Sequence, residues 1–367
     1  MSHDRPIRVG IAGGGTGGHI EPALNLADEI RRQQPDSHIV VFGTERGLEV
    51  DLVPARGYEL TLIPPVPLPR RINKELFSLP GRLRQAVAES REVIAREDLD
   101  VICGFGGYVS IPVYLAARRA KTPFVVHEAN AKPGLANRVG ARLTPFVAEN
   151  YAGSLRHAAR LGCPLRAAIS DLDRGQQQQA AREFFGLAPD GQVLLAFGGS
   201  QGAASINQAI WEAAADLCGE GVQILHAVGA RQQDEGDAFR EQAPSGYHSL
   251  PFIDRMDLAY AAADIAVCRS GAMTCAEVAA VGLPAIYVPY PIGNGEQRFN
   301  AAPVVSAGGG LMIQDAELSG VTLVSAVMPI LADPALIGQM TTAAANYGIA
   351  DGAAQLAAMV RTAAGVE

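Results

Sequence analysis

One arrangement occurs twice in this chain and restricts its fold more than any other feature: an apolar, β-branched run, a cluster of glycines, then apolar residues at helical spacing. Residues 7–13 (IRVGIAG) lead through Gly14-Gly15-Thr16-Gly17-Gly18-His19 into EPALNLADEIRRQQ, where Leu24, Ala27 and Ile30 share one helical face. Near residue 192 the pattern restarts as QVLLAFGGSQG, followed by SINQAIWEAAADLC. Strand, glycine turn and helix open a βαβ unit, so two such starts in 367 residues predict two α/β domains built on parallel sheets.

Further strands are expected at 38–43, 101–103 and 123–128 in the first half, and at 223–229, 263–271 and 284–290 in the second. Each ends in glycine or polar residues, and in open parallel sheets ligands collect at those carboxyl ends. The stretch DLDRGQQQQAAREFF (171–185) is polar and glutamine-rich, which places a hinge at about 164–190. Two Rossmann-like domains facing a central cleft are the expected architecture.

Composition narrows the function. Residues 1–165 hold 21 Lys+Arg against 17 Asp+Glu, a net +4, while 166–367 hold 9 against 21, a net −12. With 6% aromatic residues and a net charge of −8, a nucleic-acid partner is not expected, whereas an anionic surface facing the first half is. Cys103, Cys163, Cys218, Cys268 and Cys275 are odd in number and include no CxxC pair, which argues against a disulfide framework and a zinc site and for reduced thiols. The opening residues read as a first strand, not a signal peptide, and no stretch of eighteen apolar residues is present.

The chemistry is expected in the loops. Glycine at a helix start exposes backbone amides to an anion, so Gly13–Gly18 reads as a phosphate-type loop, with a plain packing turn as the alternative. Gly13, Gly15 and Gly18 fit the dinucleotide spacing G-x-G-x-x-G, but the strand VVFG (40–43) does not end in the acidic residue that NAD binding requires. No G-x-x-x-x-G-K is present. His19, in the first helical turn, is placed to be a neutral imidazole base. A second loop, Gly104 to Ser110, offers more amides and the hydroxyls of Tyr108 and Ser110; two such loops in one domain suggest a diphosphate. His127, Glu128 and Asn130 end another strand, and because residue 131 is alanine there is no HExxH and no metal is expected.

In the second half, Gly198–Gly202 forms a third phosphate-type loop. Arg269-Ser270-Gly271 opens a helix that carries Glu277, a residue suited to ribose hydroxyls, and Asn294, Glu296, Gln297 and Asn300 suit sugar hydroxyls. The triplet Asp171-Leu172-Asp173 follows no strand and reads as chance.

Taken in order, Gly13–His19, Gly106-Gly107-Tyr108-Val109-Ser110, His127-Glu128-Ala129-Asn130, Gly198–Gly202 and Arg269–Glu277 resemble the MurG family, the glycosyltransferase family 28 enzymes that add N-acetylglucosamine (GlcNAc) to the lipid-linked precursor of bacterial peptidoglycan. The resemblance runs from about 7 to 345. It implies the GT-B fold, with residues 1–165 facing acceptor and membrane, a C-terminal helix at about 350–367 packing back on them, and residues 166–349 holding UDP-GlcNAc.

The resemblance further implies donor binding by Thr16, Gly17, Gly18, Asn130, Arg166, Ser200, Ile253, Ala272, Met273, Thr274, Cys275, Ala276, Glu277 and Gln297. Ile253 would hold the uracil through its backbone. Gly14, Gly15, Gly106, Gly107 and Tyr108 would lie at the acceptor, with His19 as base and Glu128 as the alternative. No cofactor or metal is implied. The chain departs from the family pattern at Ala129 in HEAN, at Cys163 in the GCPLR segment, and at Glu296 beside Gln297.

What the resemblance implies is an inverting, metal-independent transfer of GlcNAc to the 4-hydroxyl of N-acetylmuramic acid (MurNAc) in undecaprenyl-diphosphate-MurNAc-pentapeptide, at the cytoplasmic face of the membrane, with cell-wall or division proteins as further partners. One reading of the residues points the same way. Residues 66–84 interleave Leu76, Phe77 and Leu79 with Arg70, Arg71, Lys74 and Arg82, a basic amphipathic segment suited to anionic lipid. The alternatives are a transferase or UDP-GlcNAc epimerase with a soluble substrate, and a non-catalytic nucleotide-sugar-binding scaffold at the membrane.

Overall fold

The structure is a computed structural model that describes residues 5–45, 47–66, 75–199, 201–292 and 295–366, with side chains from Ser78 onward in the helix that starts at Glu75. Arg70, Arg71 and Lys74, the side chains of Leu76 and Phe77, and Ser200 lie outside the described residues. The chain forms two units, residues 1–166 with 351–367, and residues 167–350.

In unit 1, strands β1 (Arg8–Gly13), β2 (His38–Gly43), β3 (Glu59–Leu62), β4 (Val101–Gly106), β5 (Phe124–Glu128), β6 (Phe146–Glu149) and β7 (Ala159–Arg160) make a parallel sheet in the order β3-β2-β1-β4-β5-β6-β7. The helices between them are α1 (Gly17–Gln33), α2 (Glu49–Ala55), α3 (Glu75–Arg96), α4 (Gly107–Ala120) and α5 (Leu135–Gly140). Because the sheet is covered on both faces, its central strands are apolar throughout. One face packs Val9 and Ile11 against Leu24, Ala27 and Ile30 of α1 and against Leu356 and Val360 of the C-terminal helix. The other packs Val40, Phe42 and Ile102 against Val87 and Ile94 of α3 and Val113 of α4. Each fully buried aliphatic side chain contributes about 1.5–3 kcal/mol.

Unit 2 begins with α6 (Ala167–Ser170) and α7 (Arg174–Phe184) and continues through β8 (Gln192–Phe197), α8 (Ala204–Gly219), β9 (Val222–Ala227), α9 (Gln233–Arg240) and β10 (Tyr247–Leu250). It then adds α10 (Met256–Ala262), β11 (Ile265–Cys268), α11 (Ala272–Ala280), β12 (Ala285–Tyr287), α12 (Glu296–Ser306), β13 (Gly310–Met312), α13 (Gly320–Leu331) and α14 (Pro334–Tyr347). Its parallel sheet runs β10-β9-β8-β11-β12-β13. The last helix, α15 (Gly352–Ala364), belongs to unit 1, where Gly352 meets the carbonyls of Leu161 and Cys163 so closely that a Cβ would lie 2.8 Å from each oxygen.

One sequence expectation needs correction. Residues 104–106 are not loop: β4 continues to Gly106, and α4 starts at the next residue. Gly104 is needed inside the strand because a Cβ there would lie 2.2 Å from the Tyr114 ring, and the positive φ of Gly106 (98°) and Gly107 (79°) turns the chain at once. The boundary between the two units, at 166/167, falls within the expected hinge of 164–190, and the glutamine-rich stretch there is largely the helix α7. The Asp173 carboxylate caps it by accepting from the Gln176 amide, 3.0 Å, which gives the Asp-Leu-Asp triplet a structural part. Arg174 and Arg182 anchor the same helix by donating to the carbonyls of Tyr260, Ala262, Ala263 and Gly282.

Among the described residues, no single helix is long and apolar enough to cross a membrane. In the basic segment, Leu79 and Arg82 are half-buried and Leu83 packs against the unit 1 core.

Candidate active site

In unit 1 the carboxyl ends of β1, β4 and β5 bring most of the predicted residues together. Thr16 is the N-cap of α1, and its Oγ1 lies 3.1 Å from His19 Nδ1, so the hydroxyl and the imidazole orient each other. The His19 ring lies over the start of α4: a Cβ on Gly106 would be 3.3 Å from Nε2, and one on Gly107 would be 3.6 Å from Nδ1 and only 2.5 Å from the Gly14 carbonyl oxygen. Only glycine lets the two turns approach this closely. Tyr108 is half-exposed beside them, 49%. Ser110, expected to offer a free hydroxyl, is fully buried; it donates to the Ala12 carbonyl, 3.1 Å, and receives the Gly106 amide, 3.0 Å, tying β1 to β4.

Glu128 and Asn130 close their own loop. The Glu128 carboxylate, 2% exposed, accepts from the amides of Asn130, 2.9 Å, and Gly134, 3.0 Å, and from the side chains of Asn130, 3.3 Å, and Asn137, 3.0 Å. A carboxylate has about four acceptor sites, and these donors occupy them. Of the two candidate bases, His19 is the half-exposed one. Asn137, which the sequence reading missed, is the hub here: it also donates to the His127 carbonyl, 2.9 Å, and accepts from the Tyr114 hydroxyl, 3.0 Å.

His127 itself is fully buried against Phe105. Its Nε2 donates to the Gly162 carbonyl, 2.8 Å, and its Nδ1 has no hydrogen-bond partner among the described residues. Burial pulls its pKa from 6.5 down to about 4, and burial takes His226, bonded to Tyr247 and Asn207 in unit 2, down to about 3. Both pKa values are depressed on folding, so below pH 6.5 the unfolded chain binds the extra protons. The stability these residues contribute is present above pH 6.5 and is lost as pH falls toward 4. Melting temperature measured from pH 7.5 to 4 should drop over this interval, with a shallower drop in His226→Gln. A flat profile would contradict the buried neutral state.

In unit 2 the glycine loop after β8 is locked backbone to backbone onto the end of β9. Gly202 has φ +81°, and a Cβ there would lie 2.3 Å from the Val228 carbonyl oxygen; a Cβ on Gly229 would lie 2.1 Å from the Gly202 nitrogen. The following helix α8 starts at Ala203 with no side-chain cap, and α11 likewise starts at Gly271 without one. Uncapped helix starts of this kind suit the phosphate oxygens of a ligand.

Ala272 and Cys275 are buried, while Met273, Thr274 and Ala276 are half-buried. Glu277 is not the solvated helix carboxylate that its position first suggests: it is 8% exposed and accepts from the Tyr260 hydroxyl at 2.9 Å. Tyr260 carried no sequence signal. The Gln297 side-chain carbonyl accepts from the amides of Tyr290, 2.9 Å, and Ser270, 3.2 Å, and so shapes the turn ahead of α11. Arg269, a candidate for that turn, is engaged within the protein: it pairs with Asp315, 2.5 Å, and donates to Ser205, 2.9 Å. The Ile253 side chain is buried, 3% exposed, which leaves its backbone for recognition, and Arg166 is exposed at the end of unit 1. Among the described residues no three His, Cys, Asp or Glu side chains group as metal ligands.

Comparison of the sequence with known proteins points to one family. Residues 9–148 match the glycosyltransferase family 28 N-terminal domain, and residues 193–356 match the glycosyltransferase family 28 C-terminal domain. The chain is 54% identical to the UDP-N-acetylglucosamine--N-acetylmuramyl-(pentapeptide) pyrophosphoryl-undecaprenol N-acetylglucosamine transferase of Mycolicibacterium smegmatis, over 96% of this chain and 93% of that one. It is 52% identical to the protein of the same name from Acidothermus cellulolyticus, over 98% of both. The crystal structure of Acinetobacter baumannii MurG superposes with a TM-score of 0.79 at 26% identity, covering 97% of this chain and all of that one. With two parallel-sheet units that carry uncapped helix starts at their carboxyl edges, and with both halves matched, the chain belongs to glycosyltransferase family 28.

Proposed function

We propose that this chain transfers GlcNAc from UDP-GlcNAc to the 4-hydroxyl of MurNAc in undecaprenyl-diphosphate-MurNAc-pentapeptide, releasing UDP and forming the lipid-linked disaccharide of peptidoglycan. The observation that carries this reading is the 54% identity, over nearly the whole chain, to a relative named for that transfer. The acceptor oxygen forms its bond to C1 of GlcNAc as the bond from C1 to the diphosphate oxygen breaks. The electron pair leaves with UDP, and the hydroxyl proton passes to His19. The Thr16 hydroxyl, 3.1 Å from Nδ1, orients the ring for this proton transfer.

Negative charge grows on the leaving diphosphate, which the starts of α8 and α11, with Ser200 and Arg166, stabilise. Glu277 is assigned the ribose hydroxyls and the backbone of Ile253 the uracil; Asn130 and Gln297 are assigned to GlcNAc recognition, and the residues 272–276 line the start of α11. Thr16, Gly17 and Gly18 complete the donor side. Gly14, Gly15, Gly106, Gly107 and Tyr108 receive the acceptor. Mass and linkage analysis of the product made from UDP-GlcNAc and a short-chain lipid-diphosphate MurNAc-pentapeptide tests the reading; a β-1,4 disaccharide supports it, and free GlcNAc or an epimerised donor overturns it.

On the same reading the chain works as a peripheral protein on the cytoplasmic face of the membrane. Support comes from the net +4 of residues 1–165 and from the basic residues at 70–84, each contributing about 1 kcal/mol near an anionic leaflet. The purified protein should sediment with vesicles containing phosphatidylglycerol and lose that binding at high salt. Equal binding to phosphatidylcholine vesicles would count against an electrostatic attachment.

A further inference from the structure

The residue that shapes the unit 1 site most strongly is one the functional reading leaves unused, Glu49. It is the first residue of α2, it is 0% exposed, and its carboxylate bridges two turns at the carboxyl edge of the sheet. Oε2 accepts from the Gly15 amide at 2.8 Å, and Oε1 accepts from the Thr44 amide at 3.0 Å and the Thr44 hydroxyl at 3.1 Å. We propose that Glu49 is a positioning residue for the transfer, holding the glycine loop at the height that places Thr16 and His19 for the acceptor hydroxyl.

Three glycines from separate points of the chain make room for this one side chain. A Cβ on Gly14 would lie 2.6 Å from Oε1, one on Gly43 2.7 Å from Cγ, and one on Gly47 1.7 Å from Oε2. Burying a carboxylate is costly unless amides satisfy it, so a glutamate here is a poor choice for packing alone. Its geometry supplies the reason. Amides from the β1–α1 and β2–α2 turns both point into the same space, and a carboxylate accepts from both at once, whereas a glutamine of equal size turns an NH₂ toward one of them.

The consequence for the site is direct. Gly15 is held at φ +88° by this bond, and the next residue, Thr16, is the N-cap of α1 whose hydroxyl meets His19. The Gly15 amide, expected from the sequence to face an anion, is instead taken up by the protein. At Gly15 the loop thus serves as a mount for the α1 start.

This inference rests on His19 as the proton acceptor, and the test separates the two. Glu49→Gln and Glu49→Asp are made in the full chain, and four quantities are measured: melting temperature, UDP affinity, kcat with KM for each substrate, and the ring Cε1–H resonance of His19 by NMR. In Glu49→Gln a loss of roughly 10–100-fold in kcat is expected, the scale of a displacement of about 1 Å at the reacting atoms. UDP affinity should hold, and the His19 resonance should move while that of His226 stays. Glu49→Asp, which keeps the charge on a shorter arm, should fall between Gln and wild type, and it serves as the test if Glu49→Gln does not fold.

Wild-type kcat and an unmoved His19 resonance in a folded variant overturn the proposal. So does a loss in which kcat, UDP affinity and melting temperature fall together. If wild type itself shows no acceptor-dependent turnover, the functional reading fails, while the His19 resonance still decides whether Glu49 positions the loop.

Discussion

Replacing His19 by alanine should lower kcat by roughly 10²–10⁴-fold, the usual contribution of a positioned general base, and leave UDP affinity intact. The ring is tied to Thr16 at Nδ1 and lies over Gly106 and Gly107, so its loss removes the one half-exposed imidazole at the meeting of the two unit 1 turns. Glu128→Gln is the control. Its carboxylate is filled by the donors of its own loop, so the substitution should lower the melting temperature, because an NH₂ then faces an amide, and should leave the shape of the pH–rate profile unchanged. A His19→Ala enzyme that keeps kcat and loses only acceptor KM would remove His19 from the chemistry and make it a binding residue.

The second large effect is expected at Gly202. Alanine there meets two penalties at once, a left-handed φ of +81° and a Cβ 2.3 Å from the Val228 carbonyl oxygen. That carbonyl cannot simply step aside, because it accepts from the Asn207 side chain at 2.8 Å, and Asn207 is bonded in turn to the buried His226. Strain of this kind costs about 1–3 kcal/mol before the clash is relieved, so a total of roughly 2–4 kcal/mol is expected for Gly202→Ala. The loop will relax away from its present path at the start of α8, and UDP affinity should fall by roughly tenfold for each 1.4 kcal/mol of lost complementarity. Calorimetric melting and UDP titration check both parts; an unchanged melting temperature with wild-type UDP affinity would mean that the contact with Val228 does not set the loop.

The twin strand, glycine and helix starts were legible because hydrophobic periodicity and glycine placement are local, and they located the turns that carry Thr16, His19 and Gly202. Gly104 shows where a local rule misleads. A glycine run reads as a loop, but here one member is a strand residue that makes room for a tyrosine ten positions on, and nothing near Gly104 reveals Tyr114. The helix α7 was hidden for a similar reason: its many glutamines look like a linker, while its hold on unit 2 comes from Arg174 and Arg182 reaching carbonyls about 80 or more residues away. Short strands such as β3 and β10, four residues each and only partly buried, have too little alternation to stand out.

Within the site, the residues missed are those that act through long-range hydrogen bonds. Glu49 does not stand at the end of the second strand, where an acidic residue would signal dinucleotide binding. Its carboxylate lies beyond the following turn and reaches back to Gly15 across 34 positions. Asn137 and Tyr260 are ordinary helix residues until the fold brings them to Glu128 and Glu277.

The most direct test of the account is UDP release from UDP-GlcNAc by the purified full-length chain, measured in a metal chelator with and without a short-chain lipid-diphosphate MurNAc-pentapeptide. Release that requires the acceptor and survives the chelator is the predicted result. Release at the same rate without acceptor, or none with both substrates present, would contradict the transfer proposed for this fold.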